Sequence, residues 1–285
     1  MIIKKHILMK TMKTFLKSTL VLGFAVAFVA CDTEDDASET SASIPTAAEL
    51  RLAAQVDNTE DQSFSIVENA YVEAEEANRA SSNSFFSSCA TITVTPDGTG
   101  GGAITVDFGD GCTLQNGAEV TGRVLLSYGA IQNQSRTITY EYDDFTYNDN
   151  NVSGGGTLIR QLENDNGNPQ SVLNATVGVY FPTEDIVATR DLTRTREWIE
   201  GVGTGTWIDN AFLVTGNWNT TFSSGFNRSG TVVDALRREA SCPHFVSGIL
   251  DITQNNLQGS LDFGDGSCDN IAEVSIGNQT FTIQL

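Results

Sequence analysis

Beyond Lys17 the chain contains no lysine, and of its two histidines, His6 and His244, the first lies in the basic N-terminal stretch. With the first 30 residues set aside, 11 arginines face 36 acidic residues, a formal charge of about −25. Such a surface repels nucleic acid and anionic lipid headgroups, so no nucleic-acid partner is expected. One histidine makes a histidine-based triad or a multi-histidine zinc site hard to build, and no HExxH, CxxC or Gly-x-Ser-x-Gly pattern is present. His244, between Pro243 and Phe245 and one residue further from Cys242, reads as structural. Long apolar runs are also missing. The longest, Leu20 to Ala30, is too short for a comfortable membrane span.

What that run does resemble is the apolar region of an export signal, with Lys4, Lys5, Lys10, Lys13 and Lys17 before it. Phe28-Val-Ala-Cys31 resembles a bacterial lipobox, with Phe28 in place of the usual leucine. That resemblance implies cleavage after Ala30 and lipidation of Cys31, which anchors the protein to a membrane. Asp32-Thr-Glu-Asp-Asp36 then resembles the surface-export signal of Bacteroidota lipoproteins, implying the cell surface, with a periplasm-facing anchor as the alternative. Both compartments are oxidising.

Removing Cys31 leaves four cysteines, and these frame a repeat. Val106-Asp-Phe-Gly-Asp-Gly-Cys112 has a twin in Leu261-Asp-Phe-Gly-Asp-Gly-Ser-Cys268, and Cys89 and Cys242 lie equally far upstream of intervening turn signals. The spacing predicts two β-hairpins, closed by Cys89–Cys112 and Cys242–Cys268 disulfides. Alternation of apolar residues pairs Ile92 with Phe108 and Val94 with Val106, then Val246 with Phe263, Leu250 with Gly259 and Ile252 with Leu257. Each copy then holds one residue too many, which predicts a β-bulge within Gly-Asp-Gly. Asp107, Asp110, Asp262 and Asp265 could instead ligate calcium, although the spacing and terminal Glu of an EF-hand are absent. No other cofactor is expected. The segment is similar to the Asp-Phe-Gly-Asp-Gly of extracellular PKD domains over a handful of residues. It lacks the context of the kinase element.

Residues 1–30 thus read as the lipoprotein signal, 31–60 as an acidic tether with a short helix over Pro45–Gln55, and 61–84 as a second helix capped by Asp61. On that second helix Phe64, Val67, Tyr71 and Ala74 share a face. Residues 85–285 read as strands separated by Gly, Asn and Asp turns, among them 118–128, 135–147, 152–163, 171–180, 186–200, 206–215, 217–223 and 231–238. Short connections imply an antiparallel meander curled into a sandwich or an open barrel-like sheet. Because Ala118-Glu-Val120 answers Ala272-Glu-Val274, the repeat predicts related three-stranded units at the two ends.

Cys89-Ala-Thr-Ile-Thr-Val, Asp107-Phe-Gly-Asp-Gly-Cys112, Arg194-Thr-Arg-Glu-Trp-Ile-Glu-Gly201, Asn227-Arg-Ser-Gly230 and the stretch from Cys242 to Leu285 together resemble outer-membrane lipoproteins of Bacteroidota whose function is unknown. The resemblance spans about two thirds of the chain and implies a location without an activity. Arg194, Arg196 and Trp198 fall on one face of a strand, with Trp207 and Trp218 following, and could form a platform for a glycan. Alternatively the tryptophans are core and the arginines neutralise carboxylates. The reading from sequence is a non-catalytic structural or accessory binding protein with a glycan or protein ligand. The alternative is a glycosidase-like hydrolase acting through paired carboxylates, none of which stands out.

Overall fold

The computed structural model describes residues 45–75, 84–86, 88–204, 206 and 208–284. The first described element is one helix, α1, Ala47–Glu75. It starts at a reciprocal cap: Glu49 N donates to Thr46 Oγ1 at 3.2 Å and Thr46 N donates to Glu49 Oε2 at 2.7 Å. The short helix and the separate helix from Asp61 expected from sequence are therefore joined, and Asp61 is mid-helix. Asp57-Asn-Thr-Glu60 resembles a helix boundary in sequence, but Thr59 and Glu60 are buried, and Asp57 and Glu60 are partnered by arginines from outside the helix. Its buried positions include Val56, Ser63, Phe64, Ile66, Val67 and Tyr71, which spread over more than one stripe, so the helix is enclosed rather than laid on a surface. Residues 76–83 of the expected helix, like the signal, Cys31 and the tether to residue 44, lie outside the described residues.

Around it runs a meander of β1 (Thr91–Pro96), β2 (Gly102–Asp107), β3 (Cys112–Thr113), β4 (Glu119–Tyr128), β5 (Ser135–Tyr147), β6 (Asn150–Gln161) and β7 (Gln170–Phe181). It continues through β8 (Ile186–Glu200), β9 (Ala211–Phe222), β10 (Asn227–Glu239), β11 (Phe245–Gln254), β12 (Leu257–Asp265), β13 (Ile271–Ile276) and β14 (Gln279–Gln284). All are in one antiparallel sheet in chain order, except that the short β3 extends the pairing beyond the end of β2, against β4. The sheet is not closed into a barrel, so of the expected forms the open sheet is the one adopted, and the described residues form no second sheet to make a sandwich. Its curvature follows from two neighbours on α1. Asp61 lies 3.6 Å from Arg194 of β8, while Gln62 accepts from Asn116 in the turn before β4. Four strand intervals separate β4 from β8, about 19 Å in a flat sheet, so the strands between them must wrap the helix.

Alternation sorts the two faces. Outward, one row crosses β6 to β11 as Thr157, Asn174, Thr193, Asn217, Thr231 and Asp251. Inward, Ile138, Leu158, Leu173, Val177 and Ala188 join Phe64 and Val67 in the main core. A smaller core of Val214, Leu236, Leu250, Phe263 and Ala272 lies beyond it.

Both cysteine pairs are bonded. The hairpin faces are as expected, but the partners are offset. Ile92 pairs with Val106 and Val94 with Ile104, because Asp97 opens a five-residue turn in which its carboxylate accepts from Thr99 N and Gly101 N. Leu250 pairs with Leu261 and Ile252 with Gly259, because Asn255 and Asn256, at φ 44 and 71, close a two-residue turn. In the first copy the ladder breaks over Phe108–Gly111, opposite a shift in β4 where Gly122 has φ +75. In the second the extra residue is at Phe263–Gly264, only partly overlapping the expected bulge. The repeat does not reach the third strand: Val120 lies opposite Cys112, after the Gly-Asp-Gly, whereas Val274 lies opposite Leu261, before it. Finally, the expected strands 206–215 and 217–223 are the single strand β9, with Gly216 as a kink at φ +132 inside it.

Candidate functional site: an arginine-lined cleft inside the curled sheet

Period two on the strands sends an unusual set of side chains inward. Arg136 of β5, Arg160 of β6, Arg190, Arg194 and Arg196 of β8, and Arg228 and Arg238 of β10 share the face that meets α1. The helix answers with Asp57, Glu60, Asp61, Glu68 and Glu75. Asp57 bridges Arg190 and Arg228, Glu60 binds Arg194 at 2.6 Å, Glu68 binds Arg196, and Glu75 binds Arg136 at 2.9 Å. Burial opposes ionisation of Asp57, yet the charges and hydrogen bonds of Arg190 and Arg228 outweigh it and hold its carboxyl below the usual range. Burial likewise opposes the charge on Arg194, and Glu60 and Asp61 outweigh that too, holding the guanidinium above its ordinary value. Most of these pairs clamp the helix, while Glu60 Oε1, Arg136 Nε, Arg194 Nη1 and Arg228 Nε have no hydrogen-bond partner among the described residues.

At one side of the clamp a cleft of about 660 Å³ remains between α1 and β6 to β10. Its wall is built by Arg160, Arg196, Trp198 and Arg238, and its helical side by Asp61, Glu68 and several amides. The turn after Cys112 contributes Gln115 and Asn116 to the rim, and the second repeat contributes exposed Pro243 and buried Cys242, so the curl brings both disulfide units to one opening. Arg160 donates to Ser171 at 3.1 Å. Arg196 stacks over Phe212 at 4.0 Å, and Trp198 lies 5.9 Å from the same ring. Arg238 differs from its neighbours because its Nη1 donates to the carbonyls of Cys242 and His244, and no carboxylate among the described residues ion-pairs with it. Burial lowers its affinity for the proton, Arg196 lowers it further, and Asp61 opposes both.

The residues proposed from sequence therefore divide. Arg196 and Trp198 line the cleft, whereas Arg194 is bound to Glu60. Trp198 is only 5% exposed. Trp218 is half-buried on the inner face under Arg190 and Arg228, at 4.2 and 4.9 Å, and Trp207 lies outside the described residues. The strand alternation that aligns Arg194, Arg196 and Trp198 points them at the helix, where both arginines meet carboxylates and Trp198 is buried, as in the alternative drawn from sequence. Asp107, Asp262 and Asp265 cap turns, accepting from Gly109 N, Gly264 N and Ser267 N. Among the described residues no three histidine, cysteine or carboxylate side chains converge as a metal site, so the calcium reading of Asp107, Asp110, Asp262 and Asp265 finds no geometry there. Sequence reasoning missed Arg238 and Arg160 as well as the helix carboxylates. A signal existed in the seven-residue spacing of Asp61, Glu68 and Glu75. The chain matches no family model, curated protein or solved structure.

Proposed function

We propose that this is a lipid-anchored protein of the outer membrane, displayed at the cell surface, with a non-catalytic binding role centred on the arginine-lined cleft. The leader lysines, the apolar run and Cys31 support the anchor. Two bonded cysteine pairs suit an oxidising compartment. The observation that carries the binding role is the arginine-lined cleft itself, open at a rim of exposed residues and floored by buried ones such as Leu158, Ser171 and Trp198. Of the three carboxylates that line it, Asp61 lies 3.6 Å from Arg194, Glu68 is bound to Arg196, and Glu73 accepts from Ser84 Oγ and Phe85 N at 2.6 Å each, so all three are engaged. That arrangement favours binding over carboxylate-mediated hydrolysis, which needs one acid free to give its proton to a leaving group.

Protease shaving of intact cells, read with an antibody to the β domain, tests the location. Loss of the signal is the expected result. Survival in intact cells with loss in lysed ones would put the protein on the periplasmic side and remove an extracellular ligand from consideration.

A further inference from the structure

We propose that the cleft binds a small polyhydroxylated carboxylate of the uronic-acid type, its carboxylate held between Arg196 and Arg238 and its ring against Trp198. This rests on the binding role above and names the ligand class.

The first support is charge that the protein leaves incompletely answered. Among the described residues, Arg196 gives Nη1 to Glu68 while its buried Nε has no partner, and Arg238 donates only to main-chain carbonyls. Both guanidinium groups line the same cleft, and Arg196 is near enough to disfavour the charge on Arg238. An added carboxylate relieves that repulsion and can take two parallel N–H donors, which a planar guanidinium presents and a round ammonium does not. The second support is independent of charge. Trp198 lines the cleft and is nine-tenths buried, and its buried Nε1–H has no acceptor among the described residues. A buried donor without an acceptor is costly, and a hydroxyl oxygen of a ligand would satisfy it.

The rest of the lining explains why the ligand should carry hydroxyls as well as charge. Asn58, Gln62, Asn69 and Asn116 surround the cavity with side chains that both donate and accept, as sugar hydroxyls do. Phe212, stacked beneath Arg196 and beside Trp198, holds the guanidinium and the indole in fixed relation. The volume lies within the range of ordinary small-molecule sites.

Isothermal titration of the detergent-purified full chain with glucuronate, glucose and inorganic sulfate tests this. Glucuronate is expected to bind, with glucose and sulfate at least 10-fold weaker. Arg238→Gln should weaken glucuronate at least 10-fold, and Arg238→Lys, which keeps the charge and loses the fork, should do so by a smaller factor. Trp198→Phe keeps an aromatic ring and removes the N–H, so it should also weaken glucuronate, and it carries the test if Arg238→Gln does not fold. Sulfate binding as tightly as glucuronate would mean a plain anion site and overturn the proposal, as would equal binding of glucose or no binding at all. A protein cleaved on intact cells that binds none of the three overturns the ligand and leaves the envelope role standing. Glucuronate binding by a protein shielded from protease leaves the ligand standing and overturns the surface location.

Discussion

Glu60 is 1% exposed and one of its oxygens lies between two guanidinium groups, 2.6 Å from Arg194 and 3.6 Å from Arg190, while its Oε1 has no partner. Bringing a carboxylate into such a place carries a desolvation cost that the attraction only partly offsets, but removing it leaves Arg194 with Asp61 alone, at 3.6 Å, and buried Arg190 with Asp57 alone, among the described carboxylates. Glu60→Gln is therefore expected to destabilise the fold by about 3–5 kcal/mol, nearer the lower figure given the unpartnered oxygen. Glu184→Gln breaks the pair with Arg51, which is half exposed, and should cost less than about 1 kcal/mol. Urea denaturation of the two variants measures the difference; similar losses would mean that the helix is not clamped through Glu60. Nothing in the sequence separates Glu60 from the other acidic residues, because its importance comes from strands more than 100 positions away.

At the scale of elements, the long strands were readable in advance. β5 and β8 begin and end where alternation places them, since thirteen and fifteen residues of period-two patterning leave little freedom. The helix was misread at Asp57 to Glu60, where local polarity suggests an end and the sheet's arginines supply the partners that make it continuous. Hairpin partners were offset for a similarly local reason: the strand faces depend on parity, but the partner depends on which residue opens the turn.

Two element-level predictions follow from these turns and staples. Gly122 has φ +75, and a Cβ there would lie 2.1 Å from the carbonyl oxygen of Asp144. Gly122→Ala should then cost more than the ~1 kcal/mol expected of Gly167→Ala, whose glycine also has positive φ but stands in open space. Thermal unfolding of the two variants gives the comparison. Replacing Cys89 and Cys112 by serine should cost about 3 kcal/mol, mainly by freeing the unfolded chain across their 23-residue separation. An unchanged urea midpoint would show that the hairpin holds without its staple.

The whole molecule links these interactions to pH. Asp57 has a depressed folded-state pKa, so its contribution is present above the unfolded carboxyl value near 3.9 and is lost as pH falls through the folded value. Burial and the Glu75 carboxylate, which accepts its hydroxyl at 2.6 Å, push Tyr128 up to about 12, and burial raises Tyr140 and Tyr142 as well. Raised pKa values act with the opposite sign: stability is full below the unfolded tyrosine value near 10 and declines as pH rises toward the folded values. The urea midpoint should therefore be flat from about pH 5 to 9 and fall on both sides. A midpoint still rising above pH 10 would contradict the neutral, buried state of these tyrosines.

Composition, alternation and the paired Asp-Phe-Gly-Asp-Gly segments determined a mainly antiparallel sheet, the strand faces and the two cysteine pairs, because each depends on neighbours within a hairpin. Tertiary structure alone decided that the sheet curls around α1 rather than packing on a second sheet, and that Arg194 meets Glu60 while Arg238 meets only carbonyls. It also decided that loops from the two repeats border one cleft. Period two tells which way a side chain points; what it meets depends on how far the sheet bends, and that is settled by contacts between residues distant in the chain.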